Sequence, residues 1–304
     1  MNDFLICNNI DFCENEPLKR HSTFKIGGIA KYAVFPKNRD ELVLTISHIK
    51  DIGLNFRVVG NGSNILFDDK GFDGAIIFTK NMCVCEYIHK ERATIIRAEC
   101  GKSLTELSGE AGKKHSLAGF EFAYGIPGTL GGAVYMNAGA YGGEISNILV
   151  ESEYFDSNTG EIKTINNKEH GFSYRYSIFQ NHSEYVIISS SFMLFEGDVG
   201  EIYSKMTKNM TARKEKQPLE YPNGGSTFKS PGGGLFAGKL IEDAELKGYS
   251  VGGAEVSSKH AGFVINKNNA TSRDVLNLIE HIKSTVFEKF NVQLECEIIH
   301  IPYN

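Results

Sequence analysis

The sequence predicts an α+β fold with two or three domains. The chain has 304 residues, which is enough for several domains and a large buried core. Some segments carry apolar residues at helical spacing, and short apolar runs typical of strands lie between them. Several strand patterns also follow one another without a helix, which favours an antiparallel sheet beside the mixed α and β units.

The first part of the chain predicts a small β-α-β-β unit. Apolar residues at helical spacing predict a helix over residues 39–50, and Ser103 with Glu106 predicts a capping box at the start of another helix. Short strands are predicted at residues 56–59, 75–78 and 94–99. This alternation predicts buried strands covered by amphipathic helices.

The second part predicts an antiparallel sheet followed by helices. Strands are predicted at residues 148–155, 161–165 and 185–194. A helix begins near Asp198 and ends before Pro218, and the final helix covers residues 272–290. Between these helices, the segment YPNGGSTFKSPGGG at 221–234 is too rich in Gly and Pro for regular structure. Loops of this kind often carry function.

The last predicted strand, residues 292–301, places two carboxylates on one face. Glu295 and Glu297 point the same way because side chains alternate along a strand. Such a pair is usually solvated. Ile299 and Ile301 continue the same side, which indicates that it becomes buried, and burial favours the protonated form of a carboxyl group.

Composition excludes several classes of function. The formal net charge is −5 and no long basic run occurs, which argues against nucleic acid as a partner. No signal peptide or membrane-spanning run is recognisable, so we expect a cytoplasmic protein that does not bind membranes. We also expect a monomer, although the sequence does not reveal the oligomeric state. Six cysteines without CxxC spacing and nine scattered histidines indicate reduced thiols and no metal site.

Two segments rich in small residues indicate close backbone approach to a ligand. GIPGTLGGAVYMNAGAYGG at 125–143 holds seven glycines in nineteen residues, against roughly one expected from average usage. VVGNGSNIL at 58–66 could form a main-chain nest for phosphate, although it matches neither a Walker loop nor GxGxxG. Turns between strands, including an ordinary Asn-Gly hairpin, are the alternative reading of both segments.

Six motifs, in this order and spacing, give the chain a resemblance to a known family. They are HSTFKIGG at 21–28, VVGNGSNILF at 58–67, the segment 125–143, YRYSIF at 174–179, GGSTFKSP at 224–231 and LECE at 294–297. Together they resemble the UDP-N-acetylenolpyruvoylglucosamine reductases, the MurB family, over nearly the whole chain. The chain is similar to the shorter type, which lacks an inserted tyrosine loop.

The resemblance implies an activity and a fold. Family members reduce UDP-N-acetylglucosamine enolpyruvate to UDP-N-acetylmuramate with NADPH through non-covalently bound FAD, in peptidoglycan synthesis. The implied fold is an FAD-binding domain of the vanillyl-alcohol-oxidase (PCMH) type plus a C-terminal α+β substrate-binding domain. The implied boundaries are 1–80 for the first FAD-binding subdomain, completed by 297–304, then 81–200 for the second and 201–296 for the substrate domain.

The resemblance also assigns residues to the sites. Ser226 would protonate substrate C2 after a hydride from flavin N5 reaches C3, and Arg175 and Glu297 would polarise the substrate carboxylate. Lys216 and Lys229 would bind the substrate diphosphate. The FAD contacts would be Gly60, Asn61, Gly62, Ser63, Asn64, Gly125, Ile126, Pro127, Gly128, Gly131, Gly132, Asn137, Ala138, Gly139, Ala140, Tyr141 and Gly142.

The chain departs from the family pattern at one position, and two residue roles and the function have alternatives. The family commonly reads FKNP where this chain has Ser230 before the proline. The residue that closes the nucleotide pocket could be Tyr141 or Tyr176, and Glu295 could partly replace Glu297. An FAD oxidase of the same fold, or a catalytically silent nucleotide-sugar sensor, are the alternative functions. For the preferred function, NADPH and the nucleotide would take turns in one cleft, which predicts substrate inhibition.

Overall fold

The computed structural model describes residues 1–303, which contain seven α-helices and seventeen short or medium strands. The helices are α1 (Asn2–Cys7), α2 (Arg39–Asp51), α3 (Leu104–His115), α4 (Leu130–Tyr135), α5 (Val199–Lys216), α6 (Ala237–Asp243) and α7 (Ser272–Phe290). The strands are β1 (Asp11–Pro17), β2 (Ile29–Phe35), β3 (Phe56–Val59), β4 (Ile65–Phe67), β5 (Phe72–Phe78), β6 (Cys85–His89), β7 (Thr94–Glu99), β8 (Leu117–Ala118), β9 (Gly139–Ala140), β10 (Gly143–Glu144), β11 (Leu149–Asp156), β12 (Glu161–Asn166), β13 (Tyr185–Glu196), β14 (Ser250–Val251), β15 (Ala254–Val256), β16 (Val264–Asn266) and β17 (Ile299–Ile301).

The chain divides into two compact units. Unit 1 comprises Met1–Cys13, Ala33–Asn61 and Ala75–Ala212, and unit 2 comprises Glu14–Tyr32, Gly62–Gly74 and the chain from Arg213 onward. A four-stranded sheet has the order β1-β2-β5-β3, in which β3 and β5 are parallel.

Unit 1 contains the antiparallel sheet that the sequence predicts. Its strands have the order β12-β11-β13-β7-β6, and β8 pairs with the end of β13. The central strand β13 pairs with β11 on one edge and with β7 on the other, and its residues from Val186 to Phe192 are all buried. Because side chains alternate between the two faces, both faces of the sheet are covered along this run. Helix α3 packs closely on α5, since a Cβ added at Gly112 would lie 2.6 Å from the Met206 side chain.

The predicted helices of unit 1 are confirmed. Asn38 accepts from the Glu41 amide at 2.9 Å and fixes the start of α2. Ser103 caps α3 by accepting from the Glu106 amide at 3.3 Å. The reciprocal half of the predicted capping box is wrong, because the Glu106 carboxylate instead lies 3.9 Å from the Lys102 ammonium.

In unit 2, α7 packs against β14 and β15 of the small antiparallel sheet β14-β15-β16, and α6 packs against α7. The apolar residues at helical spacing in α7 predict a buried stripe of Val275, Leu278, Ile279, Ile282, Val286 and Phe290, and the first five are buried. The prediction is wrong for Phe290, which is 37% exposed because it is the last residue of the helix. Thr271 and Asp274 form a capping box at its N-terminus. The core of this unit is therefore formed by the apolar faces of two helices, the sheet and the chain around Leu294 and Ile298.

The predicted strand over 292–301 is wrong in its first half. Only Ile299–Ile301 forms a strand, and it pairs in parallel with β4. Upstream, Cys296 makes a single bridge to Phe228, because the partner segment is an irregular loop that does not continue a ladder. Alternation nevertheless holds: Leu294 is buried while Glu295 is exposed.

Residues 1–303 contain no helix suited to span a membrane and no cluster of metal-ligating side chains. None of the helices there has the length and apolar character needed to cross a bilayer. The same residues contain no group of three or more His, Cys, Asp or Glu side chains placed to hold a metal ion.

We expect acid to destabilise unit 1 through His170. This residue is fully buried, donates from Nδ1 to the Asn166 carbonyl at 2.8 Å and accepts at Nε2 from the Ser152 hydroxyl at 2.9 Å. Burial lowers the pKa of His170 below its usual value. The unfolded chain therefore binds the extra proton, and stability is lost as the pH falls from about 6.5 towards the lower folded pKa.

The measurement is the free energy of unfolding as a function of pH for the wild type and His170→Asn. The wild-type slope in this window should include up to about 1.4 kcal/mol per pH unit from His170, and the variant should lose that part. His89→Asn, at an exposed histidine of β6, is the control and should keep the wild-type slope. An unchanged slope in His170→Asn would contradict the assignment.

Candidate functional site

The loop between β3 and β4 is drawn tightly against its surroundings. A Cβ added at Gly60 would lie 2.0 Å from Thr129 Oγ1, and one at Gly62, whose φ is +62°, would lie 2.1 Å from the His21 carbonyl oxygen. Only glycine fits both positions. Asn61 is exposed and donates from its side-chain amide to the Pro127 carbonyl at 2.6 Å, which fastens this end of the loop to the glycine-rich segment of unit 1.

The glycines of 125–143 serve two different purposes. Gly131 and Gly139 are packed against protein, because an added Cβ would come within 2.8 Å of Cys100 Cβ and 2.9 Å of Glu144 Cβ. Gly142 and Gly132 instead face open space, with the nearest atom to an added Cβ at Gly132 being Thr129 Oγ1 at 3.6 Å. The first pair shapes the loop, and the second pair leaves backbone accessible to a ligand.

The remaining predicted FAD contacts in this segment are mostly held by backbone bonds. The Ile126 carbonyl accepts from Thr105 Oγ1 at 2.8 Å, and the Gly128 carbonyl accepts from the Leu104 amide at 3.0 Å. Ala138 donates to the Ala133 carbonyl, and Gly139–Ala140 forms β9, which pairs with β10. The other predicted contacts, Gly125, Pro127 and Tyr141, are partly or fully accessible.

Thr129 is a functional candidate that the sequence analysis missed. It is 5% exposed, and its hydroxyl is buried without a hydrogen-bond partner among residues 1–303. An unsatisfied buried hydroxyl costs about 1–3 kcal/mol, so a ligand oxygen at this point would be bound favourably. The signal available in the sequence was a threonine directly before the helix that starts at Leu130, between Gly128 and Gly131.

A ligand with oxygen acceptors fits this part of unit 1. The Thr129 hydroxyl needs an acceptor, Gly60 lies directly against it, and Gly132 and Gly142 add open backbone. The pyrophosphate of FAD supplies acceptors of this kind. The donor set is therefore compatible with FAD, and Thr129 would hold its phosphate oxygens.

Asn137 connects the glycine-rich segment to the turn that carries Arg175. Asn137 is fully buried, with a φ of +42°. Its side chain donates to the Ser173 carbonyl at 3.0 Å and accepts from the Ser146 amide at 3.0 Å. The Asn137 amide group is thus committed to protein partners, although it was predicted as an FAD contact.

Arg175 lies in a tight turn with left-handed backbone. Its φ is +56°, which is costly for a residue with a side chain and is typical of functional sites. Ser173 and Tyr176 close the turn, and Gln180 donates to the Arg175 carbonyl at 2.9 Å. The guanidinium donates to the Gly139 carbonyl at 3.1 Å and lies 4.9 Å from the Tyr174 ring centre. These contacts fix the direction of the arginine fork.

In unit 2, Ser226 is presented at the tip of a glycine loop. Asn223 accepts from the Gly225 amide at 2.9 Å, and Gly225 has a φ of +82° with open space beside it. Gly224 is packed on Phe24, where an added Cβ would lie 2.6 Å from the ring. Ser226 itself is exposed, in contrast to its buried neighbour Thr227.

Glu297 lies on the chain segment that borders the serine loop. Its amide donates to the Thr227 carbonyl at 2.8 Å, and its carbonyl accepts from the Asn64 side chain at 3.0 Å. The structure therefore brings Ser226, Glu297 and Asn64 onto hydrogen-bonded neighbouring segments of unit 2. Ser63, the adjacent predicted FAD contact, is partly exposed.

Glu295 and Glu297 are in different environments. Glu295 has a 72% exposed side chain and pairs with the Lys229 ammonium at 2.6 Å, whereas Glu297 is partly buried. The Lys229 amide also donates to the Glu295 carbonyl at 2.9 Å. The Lys229 ammonium therefore already has a carboxylate partner. To bind a diphosphate, as predicted, it would have to leave Glu295 or contact both groups at once.

Lys216 is exposed at the C-terminal end of α5. It is one of the positive charges near His260, whose pKa is lowered chiefly by burial. His260 Nδ1 accepts from the Gly262 amide at 3.0 Å, which requires the neutral ring. Lys247 also lies near His260, so two lysines contribute positive charge here, opposed by the nearby Glu242.

Two family models match the chain. Residues 217–301 match the UDP-N-acetylenolpyruvoylglucosamine reductase C-terminal domain, and residues 30–166 match an FAD-binding domain. The predicted FAD cofactor and the predicted FAD-binding α+β fold with a C-terminal domain are therefore confirmed.

Proteins that are similar to this chain over nearly its whole length are named as UDP-N-acetylenolpyruvoylglucosamine reductases. The UDP-N-acetylenolpyruvoylglucosamine reductase of Caldanaerobacter subterraneus is 49% identical over 93% of this chain and 91% of its own length. That of Streptococcus uberis is 44% identical over 95% and 93%. The crystal structure of the reductase from Thermus caldophilus matches with a TM-score of 0.78 and 31% identity, over 96% of this chain and 99% of that chain.

We expect Thr129→Val to weaken FAD binding without destabilising the protein that lacks FAD. The change removes a donor to the cofactor and also removes an unpaired buried hydroxyl. The loss of one hydrogen bond to a charged phosphate corresponds to about a tenfold or larger rise in the dissociation constant.

The measurement is an FAD titration by flavin fluorescence, together with thermal unfolding of the apoprotein. Thr45→Val is the matched control, because Thr45 in α2 is also buried with a hydroxyl that lacks a partner within the described chain. The control should keep wild-type FAD affinity. Equal FAD affinity in Thr129→Val would remove Thr129 from the site.

Proposed function

The chain belongs to the UDP-N-acetylenolpyruvoylglucosamine reductases, and we propose that it uses NADPH to convert the enolpyruvyl ether of UDP-N-acetylglucosamine into UDP-N-acetylmuramate. Oxidoreductase chemistry with FAD and a role in cell-wall synthesis follow from the family. The proposal for this substrate rests on the exposed Ser226 hydroxyl, which lies on a loop that is hydrogen-bonded to the segment of Glu297.

The chemistry that FAD supplies when bound is hydride transfer. Reduction of the substrate double bond adds a hydride at C3 and a proton at C2, and the proton is the part that this chain's residues must deliver. Ser226 donates it. A serine hydroxyl is a weak acid, so it can act only on a strongly basic acceptor, and the carbanion-like C2 formed by hydride addition is such an acceptor.

Arg175 and Glu297 act on the substrate carboxylate. The guanidinium offers two parallel donors in a fixed plane, which matches the two oxygens of a carboxylate. Withdrawing charge from that group makes C3 more electrophilic and stabilises the enolate, and preorganised contacts of this kind contribute several kcal/mol to catalysis. Glu297 contributes as a hydrogen-bond donor if it carries a proton. Glu295 is unsuited to replace it, since it is exposed and paired with Lys229.

Lys216 and Lys229 bind the diphosphate of the nucleotide sugar. A diphosphate replaces Glu295 as the partner of Lys229 and offers more acceptor oxygens. NADPH and the nucleotide bind alternately, which leads to substrate inhibition. Under the same proposal, the enzyme works as a monomer in the cytoplasm on a small-molecule substrate, without nucleic acid or membrane partners.

We expect Ser226→Ala to affect only one half of the reaction. Reduction of bound flavin by NADPH should keep the wild-type rate, because no proton from Ser226 is used there. Reoxidation by the enolpyruvyl nucleotide should slow by about 10²–10⁴-fold, the range typical of lost general acid catalysis. Stopped-flow absorbance in the flavin bands under anaerobic conditions measures both halves.

Ser258→Ala, at another exposed serine of unit 2, is the control and should leave both halves unchanged. Rapid reoxidation of the wild type by oxygen alone would favour an oxidase, and failure of NADPH to reduce the flavin would favour a nucleotide-sugar sensor. Equal slowing of both halves in Ser226→Ala would assign the serine a different role.

A further inference from the structure

Thr227 joins three segments of unit 2 through one fully buried residue. Its amide donates to the Gly262 carbonyl at 2.8 Å, and its hydroxyl accepts from the Val264 amide at 2.9 Å. Its carbonyl accepts from the Glu297 amide at 2.8 Å. Every polar group of this residue therefore has a partner on β16, on the turn before it, or on the segment of Glu297.

We infer that Thr227 is a positioning residue that sets the proton donor Ser226 relative to Glu297. The inference rests on the proposed function, in which Ser226 delivers the proton to C2. Ser226 precedes Thr227 directly, and Glu297 is bonded to it directly. A shift of Thr227 would therefore displace Ser226 through the chain and would displace Glu297 through the backbone hydrogen bond.

The side chain of Thr227, and not only its backbone, is required for this geometry. Val264 is 1% exposed, and its amide has the Thr227 hydroxyl as its acceptor. In a regular strand pair, a backbone carbonyl of the neighbouring segment would accept the hydrogen bond from this amide. Here the chain turns away at Gly224 and Gly225 and exposes Ser226. The Thr227 hydroxyl replaces that carbonyl as the acceptor. It therefore links the loop to β16 although the two segments do not form a continuous β-ladder.

The two sides of Thr227 differ in how firmly they are held. On the C-terminal side, Phe228 is buried and bridges Cys296, and Lys229 bonds to Glu295 through both backbone and side chain. On the N-terminal side, Gly225 has left-handed backbone and open space. Thr227 is thus the first buried residue after the exposed serine.

The amino-acid type matters for a mechanistic reason. Misplacing a reacting group by about 1 Å can reduce the rate by about 100-fold, because proton transfer depends steeply on donor geometry. A Thr227→Val variant keeps the shape and volume but loses the acceptor for Val264. We expect it to slow flavin reoxidation by the enolpyruvyl nucleotide by about 10- to 100-fold, while flavin reduction by NADPH keeps the wild-type rate.

Thr227→Ser is the rescue variant, because it restores the hydroxyl and removes only a methyl group. It should reoxidise within about threefold of the wild type. The solvent isotope effect, the ratio of reoxidation rates in H₂O and D₂O, distinguishes a positioning role from a loss of stability, because stability alone does not change it. The effect should increase in Thr227→Val, where proton delivery limits the rate more strongly. It should return to the wild-type value in Thr227→Ser.

Cys296→Ala keeps the inference testable if Thr227→Val does not fold. The Cys296 thiol donates to the Thr227 carbonyl at 3.3 Å, so its removal perturbs the same junction more mildly. A selective slowing of reoxidation by a few-fold supports the inference. Wild-type reoxidation in both Thr227→Val and Cys296→Ala, or equal slowing of the two halves, overturns it. Failure of the wild type to reoxidise with the nucleotide would instead overturn the proposed function.

Discussion

The close approach of Gly60 to the Thr129 hydroxyl is the constraint on which the flavin-binding part of unit 1 depends. An added Cβ at Gly60 would overlap Thr129 Oγ1, so the loop after β3 must run as bare backbone at this point. Asn61 then fastens the loop to the Pro127 carbonyl. The Thr129 hydroxyl is buried and has no hydrogen-bond partner among residues 1–303, and a buried hydroxyl without a partner is costly. The glycine at position 60 and the unpaired Thr129 hydroxyl therefore lie at the same point of the loop.

In unit 2, hydrogen bonds between irregular segments fix the positions of Ser226 and Glu297. The serine loop has no ladder of its own, yet Thr227, Phe228 and Lys229 each contact the segment from Glu295 to Glu297. The same contacts separate two carboxylates that are alike in sequence. Lys229 neutralises Glu295 at the surface, and Glu297 stays partly buried beside Asn64. Environment, and not residue type, therefore distinguishes the two carboxylates.

Periodicity predicted the elements that have one dominant buried face. Helices α2, α5 and α7 and the strands of the antiparallel sheet were found at or within a few residues of their predicted bounds, because their apolar spacing is set by local geometry. The strand predicted over 292–301 failed in its first half for the opposite reason. Its alternation is real, but strand formation needs a partner, and the partner at 226–229 is a loop.

The sequence by itself determined the family, the FAD-binding fold and the residue types available for chemistry, since ordered motifs and local periodicity are properties of the chain alone. Only the tertiary structure decided which groups are committed and which are available. It showed that the Asn137 side chain is bonded internally, that Glu295 is paired and that the Thr129 hydroxyl has no partner in the part of the chain that the structure describes. These outcomes depend on contacts between residues far apart in the chain, and such contacts have no period or spacing that a sequence displays.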